Sequence, residues 1–294
     1  MNKNTFSMFN IPNLLTASNM LCGIFSILLS LSGRIDLAPY PIFLGALFDF
    51  LDGFVARLLK QQGELGKQLD SLADMITFGL APGIMMMGVL VNSTFPSMID
   101  FNDIPEETSY HINNFSNYKD SFLASFSMKQ MNFLFGISNL KLFSYTPFLA
   151  LLIPVFSMFR LAKFNLDTRQ AEGFIGLNTP ANTLLLCTFP LILVQDFEVG
   201  SVNYIVREFV LQTWFLIPLI IVLSILLVSE IPIFSLKFKH FKWKGNEIRF
   251  IFLITCLLII PLTLYWSLGI IVILYLILSL IDNFLKRKRY EIQS

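Results

Sequence analysis

Long runs of apolar residues are the feature that most restricts what this chain can fold into. The longest extends from Phe250 to Leu285, and runs of comparable character recur along the sequence. A helix of about 20 apolar residues spans the hydrocarbon core of a bilayer, so the run from Phe250 is too long for one crossing. Only 14% of the residues are charged, where a soluble domain carries about 25%. The mean hydropathy is +0.67. We therefore predict an all-α integral membrane protein.

The apolar runs predict a bundle of about eight transmembrane helices. These cover residues 13–32, 40–60, 67–92, 146–165, 178–196, 212–234, 249–264 and 268–286. The last two divide the long run at Tyr265 and Trp266, because aromatic residues favour the membrane interface. We expect residues 1–294 to form a single membrane domain with a polar insert at about residues 92–145. Within this insert, short amphipathic helices around Phe122–Phe135 are expected to lie on the membrane surface.

The distribution of basic residues predicts the orientation of the bundle. With eight crossings both termini lie on one side, and most of the lysine and arginine residues fall on that side. The positive-inside rule makes this side cytoplasmic, in the cell membrane, and leaves the polar insert outside. The net charge of +1 predicts no nucleic-acid partner. The basic run from Lys237 to Arg249 is predicted to lie on anionic lipid headgroups.

Four aspartates stand near the predicted cytoplasmic ends of the second and third spans. Asp49 and Asp52 are three residues apart and Asp70 and Asp74 are four apart, so each pair shares one face of a helix. The short connection between the spans makes them antiparallel neighbours whose acidic faces can meet. A carboxylate at membrane depth costs about 2.5–3.5 kcal/mol and needs compensation. Hard divalent cations supply it, and paired ions of this kind serve phosphoryl transfer. The alternative is that the aspartates cap helices or lie among the headgroups.

The residues between the acids suit a ligand that carries phosphate. Gly53 and Ala56 remove side-chain bulk beside the acidic face, and Arg57 can form paired hydrogen bonds with a phosphate group. Small residues at this spacing also allow two helices to pack closely in a membrane. Both interpretations of Gly53 and Ala56 stay open at this point.

The complete pattern from Asp49 to Asp74, D-x2-D-G-x2-A-R-x8-G-x3-D-x3-D, resembles the signature of the CDP-alcohol phosphatidyltransferase family. Enzymes of this family transfer a phosphatidyl group from a CDP-linked lipid to an alcohol and release CMP. The resemblance implies that the four aspartates bind two divalent cations, Mg2+ or Mn2+, and that Asp74 is also the general base. It implies that Gly53, Arg57 and Gly66 contact the nucleotide diphosphate. It also implies a helical bundle that forms a homodimer.

Further stretches are similar to the phosphatidylserine synthase branch of that family. They are IPNLLTASNMLCG, LADMITFGLAPG, FRLAKFN, GFIGLNTPANT and SEIPIFSLKF. By this resemblance Asn13 and Thr16 help to hold the cytidine end of the donor. The residues expected at the CDP-lipid are therefore Asn13, Thr16, Gly53, Ala56, Arg57 and Gly66. The branch implies CDP-diacylglycerol and L-serine as substrates; the alternative is a sister enzyme that uses glycerol 3-phosphate, an inositol phosphate or choline.

Three residues at the cytoplasmic end of the fourth span are candidates for the acceptor site. Arg160 and Lys163 share a helix face, and Arg160 suits the carboxylate of serine or the phosphate of the lipid. The alternative for both is anchoring, with the charged ends reaching the interface. Asn165 is a candidate polar contact.

A function from another class is a cation transporter that uses intramembrane acids as a pathway. Such a protein would carry acids at several depths and on several helices. Here they lie at one predicted level on two adjacent helices, which favours the enzyme.

Overall fold

The computed structural model describes residues 9–94, 118–136, 145–166, 174–234, 243 and 246–293. Most of the predicted polar insert and of the basic run from Lys237 lies outside the described residues. The described helices are α1 (Ile11–Leu31), α2 (Pro39–Leu58), α3 (Glu64–Asp74), α4 (Ala81–Thr94), α5 (Tyr118–Gly136), α6 (Leu152–Leu166), α7 (Thr179–Leu193), α8 (Val202–Val210), α9 (Thr213–Val228), α10 (Glu247–Thr263) and α11 (Ser267–Gln293). The prediction of an all-α membrane protein is confirmed.

Four helical stretches in the described part of the chain are long and apolar enough to cross a membrane. They are Ile11–Leu31, Glu64–Thr94, Thr146–Leu166 and Glu247–Phe284. The number becomes five if α8 and α9, which meet at a bend of 67°, count as one span. Each of the eight predicted spans overlaps helical residues. By length and hydropathy alone, however, only four or five helical stretches in the described part of the chain qualify as spans, so the count of eight stays a prediction.

The stretch Glu247–Phe284 turns back on itself. A short 3-10 segment, Leu264–Trp266, separates α10 from α11, and Leu264 has a positive φ of 41°. The rings of Phe252 on α10 and Tyr275 on α11 lie 5.7 Å apart, although 23 residues separate them in sequence. A continuous helix would hold these residues about 35 Å apart. The two helices are therefore an antiparallel hairpin, with its tip at the position predicted for the turn.

The core of the bundle surrounds α4, whose Met85, Met86 and Leu90 are fully buried. Helix α1 packs against α2 on one side of α4, and α7 packs between α4 and α11 on the other. Two short strands, β1 (Phe174–Ile175) and β2 (Pro232–Ile233), pair antiparallel and join the start of α7 to the end of α9.

Helix α5, within the predicted insert, packs against α4, and its position relative to the membrane surface stays a prediction. Leu123, Phe126 and Phe133 are buried, and Gln130 lies against Gly88 of α4. A Cβ on Gly88 would come within 2.2 Å of the Gln130 side chain. Helix α5 therefore packs closely on α4, because Gly88 leaves room for the side chains of Gln130 and Phe126.

Candidate active site

Directly after Asp74 the helix changes its winding. A π-helical segment, Met75–Leu80, connects α3 to α4, and such segments occur frequently at functional sites. The Thr183 hydroxyl of α7 donates to the Phe78 carbonyl at 2.8 Å. The Thr77 hydroxyl donates to the Asn19 carbonyl of α1 at 2.9 Å. The backbone that follows Asp74 is therefore held from two sides.

Two glycines let α1 and α2 approach this π segment closely. A Cβ on Gly23 of α1 would lie 2.6 Å from the Thr77 hydroxyl oxygen. A Cβ on Gly45 of α2 would lie 2.8 Å from the Thr77 methyl group. Both distances are too short for a real side chain. The packing of the three helices around Thr77 thus requires glycine at both positions, and it brings the acidic end of α2 to the level of α3.

Three of the four predicted aspartates lie close together. Asp49 of α2 and Asp70 and Asp74 of α3 each offer a carboxylate oxygen, and these oxygens lie within 4.8 Å of one another. One oxygen of Asp70 is buried and has no hydrogen-bond partner in the described part of the chain. Clustered carboxylate oxygens, one of which lacks a hydrogen-bond donor, suit a hard divalent cation. Ala38 and Gly63 occupy the N-caps of α2 and α3, and Asp74, which precedes the π segment, makes no side-chain capping bond to it, so the helix-capping alternative does not fit.

The fourth aspartate is held by α1. Asp52 is only 5% exposed, and it accepts a hydrogen bond of 2.6 Å from the Thr16 hydroxyl. One turn further along α1, the Asn19 side-chain amide donates to Asp74 at 3.2 Å. One face of α1 therefore orients a carboxylate on each of the two acidic helices.

A cavity of about 330 Å³ adjoins the aspartates. Its lining includes Asp52 and Asp70. All six residues predicted for the CDP-lipid also line it, namely Asn13, Thr16, Gly53, Ala56, Arg57 and Gly66.

The two signature glycines face this cavity. The nearest atom to a Cβ on Gly53 would be an Arg57 nitrogen at 3.7 Å, and on Gly66 the Asn13 side-chain oxygen at 3.5 Å. Among the described residues, no atom of another helix would lie within 4 Å of that Cβ on Gly53. Gly53 therefore leaves room for a ligand, which favours the ligand interpretation of this position over a helix-packing seam.

Arg160 of α6 is buried beside the acidic cluster. It is 7% exposed, its guanidinium lies 4.9 Å from the centre of the Phe164 ring, and it interacts electrostatically with Asp74. Close packing brings α6 here, since a Cβ on Gly79 of the π segment would lie 3.1 Å from the Ser157 β-carbon. This buried position differs from the anchoring alternative, in which the charged end reaches the interface.

The other two acceptor candidates make contacts within the protein. The Lys163 ammonium pairs with Glu230 and donates to the Val228 carbonyl at 3.4 Å, at the end of α9. The Asn165 side chain donates to the Ser71 hydroxyl at 2.8 Å, and the Lys67 ammonium donates to the Asn165 carbonyl at 3.1 Å. Asn165 thus ties α6 to α3, and Lys163 ties α6 to α9.

Sequence reasoning missed several residues at the site. Asn19 follows Asn13 and Thr16 at intervals of three, and a polar stripe of this kind on an apolar helix is a signal that could have identified it. Gln61, Gln62 and Lys67 also line the cavity. They lie around the connection between α2 and α3, where spacing alone does not distinguish cavity residues from solvated ones.

Comparison with known proteins supports this interpretation of the site. Residues 9–99, which contain all four aspartates, match the family model described as CDP-alcohol phosphatidyltransferase. The chain is 40% identical over 79 residues to the CDP-diacylglycerol–serine O-phosphatidyltransferase of Bacillus subtilis. This match covers 27% of the chain and 45% of that protein. It is 37% identical over 102 residues to the archaetidylserine synthase of Methanothermobacter thermautotrophicus, covering 33% of this chain and 42% of that protein.

A longer match extends over most of the chain. The CDP-diacylglycerol–serine O-phosphatidyltransferase of Helicobacter pylori is 27% identical over 273 residues, or 92% of this chain and 89% of that protein. The more identical relatives above match over less than half of their own length. The chain therefore carries a CDP-alcohol phosphatidyltransferase domain at residues 9–99 and is similar to phosphatidylserine synthases.

Proposed function

We propose that this protein transfers the phosphatidyl group of CDP-diacylglycerol to L-serine, forming phosphatidylserine and releasing CMP. The observation that carries the proposal is the cavity beside the aspartates, which all six residues expected at the CDP-lipid line. Serine also appears in the names of both the CDP-diacylglycerol–serine O-phosphatidyltransferase and the archaetidylserine synthase to which the chain is similar. This agreement favours serine over glycerol 3-phosphate, an inositol phosphate or choline as the acceptor.

The cavity residues bind and orient the donor. Arg57 forms charge-assisted hydrogen bonds with the diphosphate. Gly53, Ala56 and Gly66 let the diphosphate approach the helix backbone, and Asn13 and Thr16 contact the cytidine end. Because Thr16 also bonds to Asp52, the donor and the acidic cluster share one support on α1.

Asp74 is the proposed base. Its carboxylate takes the proton of the serine hydroxyl, whose oxygen attacks the phosphorus that carries diacylglycerol. The bond from that phosphorus to the CMP oxygen breaks, and CMP leaves. The hydrogen bond from Asn19 fixes the orientation of the carboxylate. Proton transfer to a positioned base is worth about 10²–10⁴ in rate.

The four aspartates are the proposed ligands of two divalent cations, Mg2+ or Mn2+. Asp49, Asp70 and Asp74 fit this role through their close oxygens, and Asp52 lies at the border between the cluster and the cavity. When bound, such ions offset the negative charge of the carboxylates and polarise the diphosphate.

The acceptor serine is proposed to lie between Asp74 and Arg160. A buried guanidinium that interacts with Asp74 can hold the serine carboxylate close to the base. Lys163 and Asn165 remain candidates for the acceptor site, although the structure shows them in contact with Glu230 and Ser71.

We also propose that the chain forms one membrane domain with eight crossings, with both termini and the active site on the cytoplasmic side of the cell membrane. The reversal between α10 and α11 supports two crossings in the stretch Glu247–Phe284. A homodimer stays a prediction from the family resemblance, and the mass of the purified protein, after subtraction of bound detergent, tests it.

An acceptor panel tests the proposed reaction. Purified protein is given CDP-diacylglycerol, Mg2+ or Mn2+, and one of L-serine, glycerol 3-phosphate, inositol 1-phosphate or choline, and CMP release is measured. We expect release with serine above the background without acceptor. Release with another acceptor but not with serine would assign the protein to a sister activity. Ion flux in proteoliposomes that survives Asp70→Asn would instead support a transporter.

A further inference from the structure

A second and larger cavity lies away from the aspartates. It has a volume of about 530 Å³ and is lined by α7, α8, α9 and the hairpin of α10 and α11. Its walls are mostly apolar, with Leu185, Phe189 and Ile192 of α7 facing Leu219 of α9. The volume lies within the range of about 300–1,000 Å³ that is usual for small-molecule sites.

Two polar groups on the wall of this cavity have no hydrogen-bond partner among the described residues. They are the hydroxyl of Thr188, which is 5% exposed, and the buried indole nitrogen of Trp266. A buried polar group without a partner costs about 1–3 kcal/mol, so two on one cavity point to a ligand that accepts hydrogen bonds there. Gly269 makes room for the threonine, since a Cβ would lie 3.1 Å from its hydroxyl oxygen.

The lining contains no charged side chain among the described residues. The nearby Arg207 is occupied, because it pairs with Glu208 and donates to the Gln195 carbonyl at 2.6 Å. The ligand end at Thr188 and Trp266 is therefore neutral. An ester carbonyl meets this requirement, whereas a free carboxylate would be buried without a cation.

This cavity lies at the end of the bundle opposite to the aspartates. The acidic residues stand at the start of the stretch Glu64–Thr94, whereas the Ser93 hydroxyl, at its other end, is 2.7 Å from the Thr213 hydroxyl at the start of α9. Thr188 is five residues beyond Thr183, which contacts the π segment, and Trp266 is at the tip of the hairpin. Leu262 and Leu264 at the cavity edge are exposed, so the opening faces the surroundings of the bundle.

We propose that this cavity binds an acyl chain of a membrane phospholipid, with the ester carbonyl of that chain accepting hydrogen bonds from Thr188 and Trp266. The apolar walls suit the chain, the two neutral donors suit the carbonyl, and the exposed apolar edge opens to the lipid phase. The site is separate from the donor cavity, so a phospholipid can occupy it while the acidic site is free.

Fluorescence of Trp266 tests the proposal. The chain has three tryptophans, so the full-length variant Trp214→Phe/Trp243→Phe keeps Trp266 alone. This variant in detergent is titrated with phosphatidylglycerol brominated on its acyl chains. We expect saturable quenching that unbrominated phosphatidylglycerol reverses. Quenching that rises in proportion to lipid without saturation would overturn the proposal.

Matched variants locate the binding. Val206 and Ile205 are neighbours on α8 with 39% and 58% exposure, but only Val206 lines the cavity. In the single-tryptophan background Val206→Phe should weaken binding at least tenfold, whereas Ile205→Phe should not change it. Equal affinities for these two variants would contradict the assignment.

The hydroxyl and the ester are tested separately. Thr188→Val should weaken binding by about 2- to 10-fold, the worth of one hydrogen bond, and Thr188→Ser should restore it. A brominated free fatty acid should bind more weakly than the brominated phospholipid. If the fatty acid binds as well, or if Thr188→Val has no effect, the ester-carbonyl contact is wrong.

Discussion

At the scale of single residues, Asp74 is where the acidic cluster and the proposed chemistry meet. It shares the cluster with Asp49 and Asp70, accepts a hydrogen bond from Asn19 and interacts with Arg160. Asp74→Asn keeps the size of the side chain but removes a base and a strong metal ligand. We expect CMP release to fall by at least about 10²–10⁴-fold, the usual worth of a general base. The exposed Asp196, on the loop after α7, supplies the control Asp196→Asn, which should keep wild-type activity. Near-normal turnover by Asp74→Asn would refute its assignment as the base.

Asn19 tests whether α1 orients that carboxylate. A hydrogen bond to a charged group is worth about 1.5–3 kcal/mol, or roughly 10- to 150-fold in rate if it is lost in the transition state. We therefore expect Asn19→Ala to lower kcat by such a factor with little change in the KM for the donor. The adjacent Ser18 is half-buried and donates a hydrogen bond to the Leu14 carbonyl of its own helix, so Ser18→Ala should leave kcat unchanged. Equal kcat values for the two variants would show that Asn19 does not position Asp74.

The sequence predicted much of the site because the signature residues lie on two short stretches with fixed helical spacing. All six donor residues from the prediction line one cavity. Asn19 was not predicted, because its hydrogen bond to Asp74 depends on how α1 packs against the π segment, which is a tertiary contact. The burial of Arg160 likewise depends on the close approach of α6 to Gly79.

At the scale of elements, two glycines, Gly23 of α1 and Gly53 of α2, have opposite roles. A Cβ on Gly23 would clash with Thr77, whereas a Cβ on Gly53 would meet only an Arg57 nitrogen at 3.7 Å among the described residues. Gly23→Ala should lower the free energy of unfolding by about 1–3 kcal/mol, the usual cost of adding a methyl group to a closely packed contact. Gly53→Ala should keep or raise the melting temperature, because alanine favours the helix, while it raises the KM for CDP-diacylglycerol.

Thermal unfolding in detergent and donor titrations check both glycine variants. Gly23 and Gly53 receive the same substitution, so each serves as the control for the other. A lower melting temperature for Gly53→Ala than for Gly23→Ala would mean that the packing around Thr77 is misassigned.

Most helix bounds were predictable within a few residues, because long apolar runs determine where helices lie. The π segment was not predictable, since Met75–Leu80 reads as ordinary apolar helix and its winding depends on partners such as Thr183. The short amphipathic helix α8 was missed because it is only nine residues long. The packing of α5 on α4 was not predictable, because the space over Gly88 cannot be read from the sequence of α5 itself.

At the scale of the whole molecule, the two ends of the bundle differ in chemistry. One end carries the aspartates, Arg57 and the cavity of about 330 Å³, and the other carries the apolar cavity of about 530 Å³. The proposed enzyme needs the first end at the membrane surface that supplies water-soluble serine and receives CMP. The second end has no part in that reaction, so variants that block its cavity should keep the specificity for serine.

Binding of Mn2+ to the purified protein, followed by the electron paramagnetic resonance signal of the free ion, tests the central claim most directly. We predict two bound ions per chain in the wild type and in Asp196→Asn. Asp70→Asn should bind fewer, because it removes a carboxylate that has a buried, unpartnered oxygen in the cluster. The account would be contradicted if the wild type bound no Mn2+, or if folded Asp70→Asn bound as many ions with the same affinity.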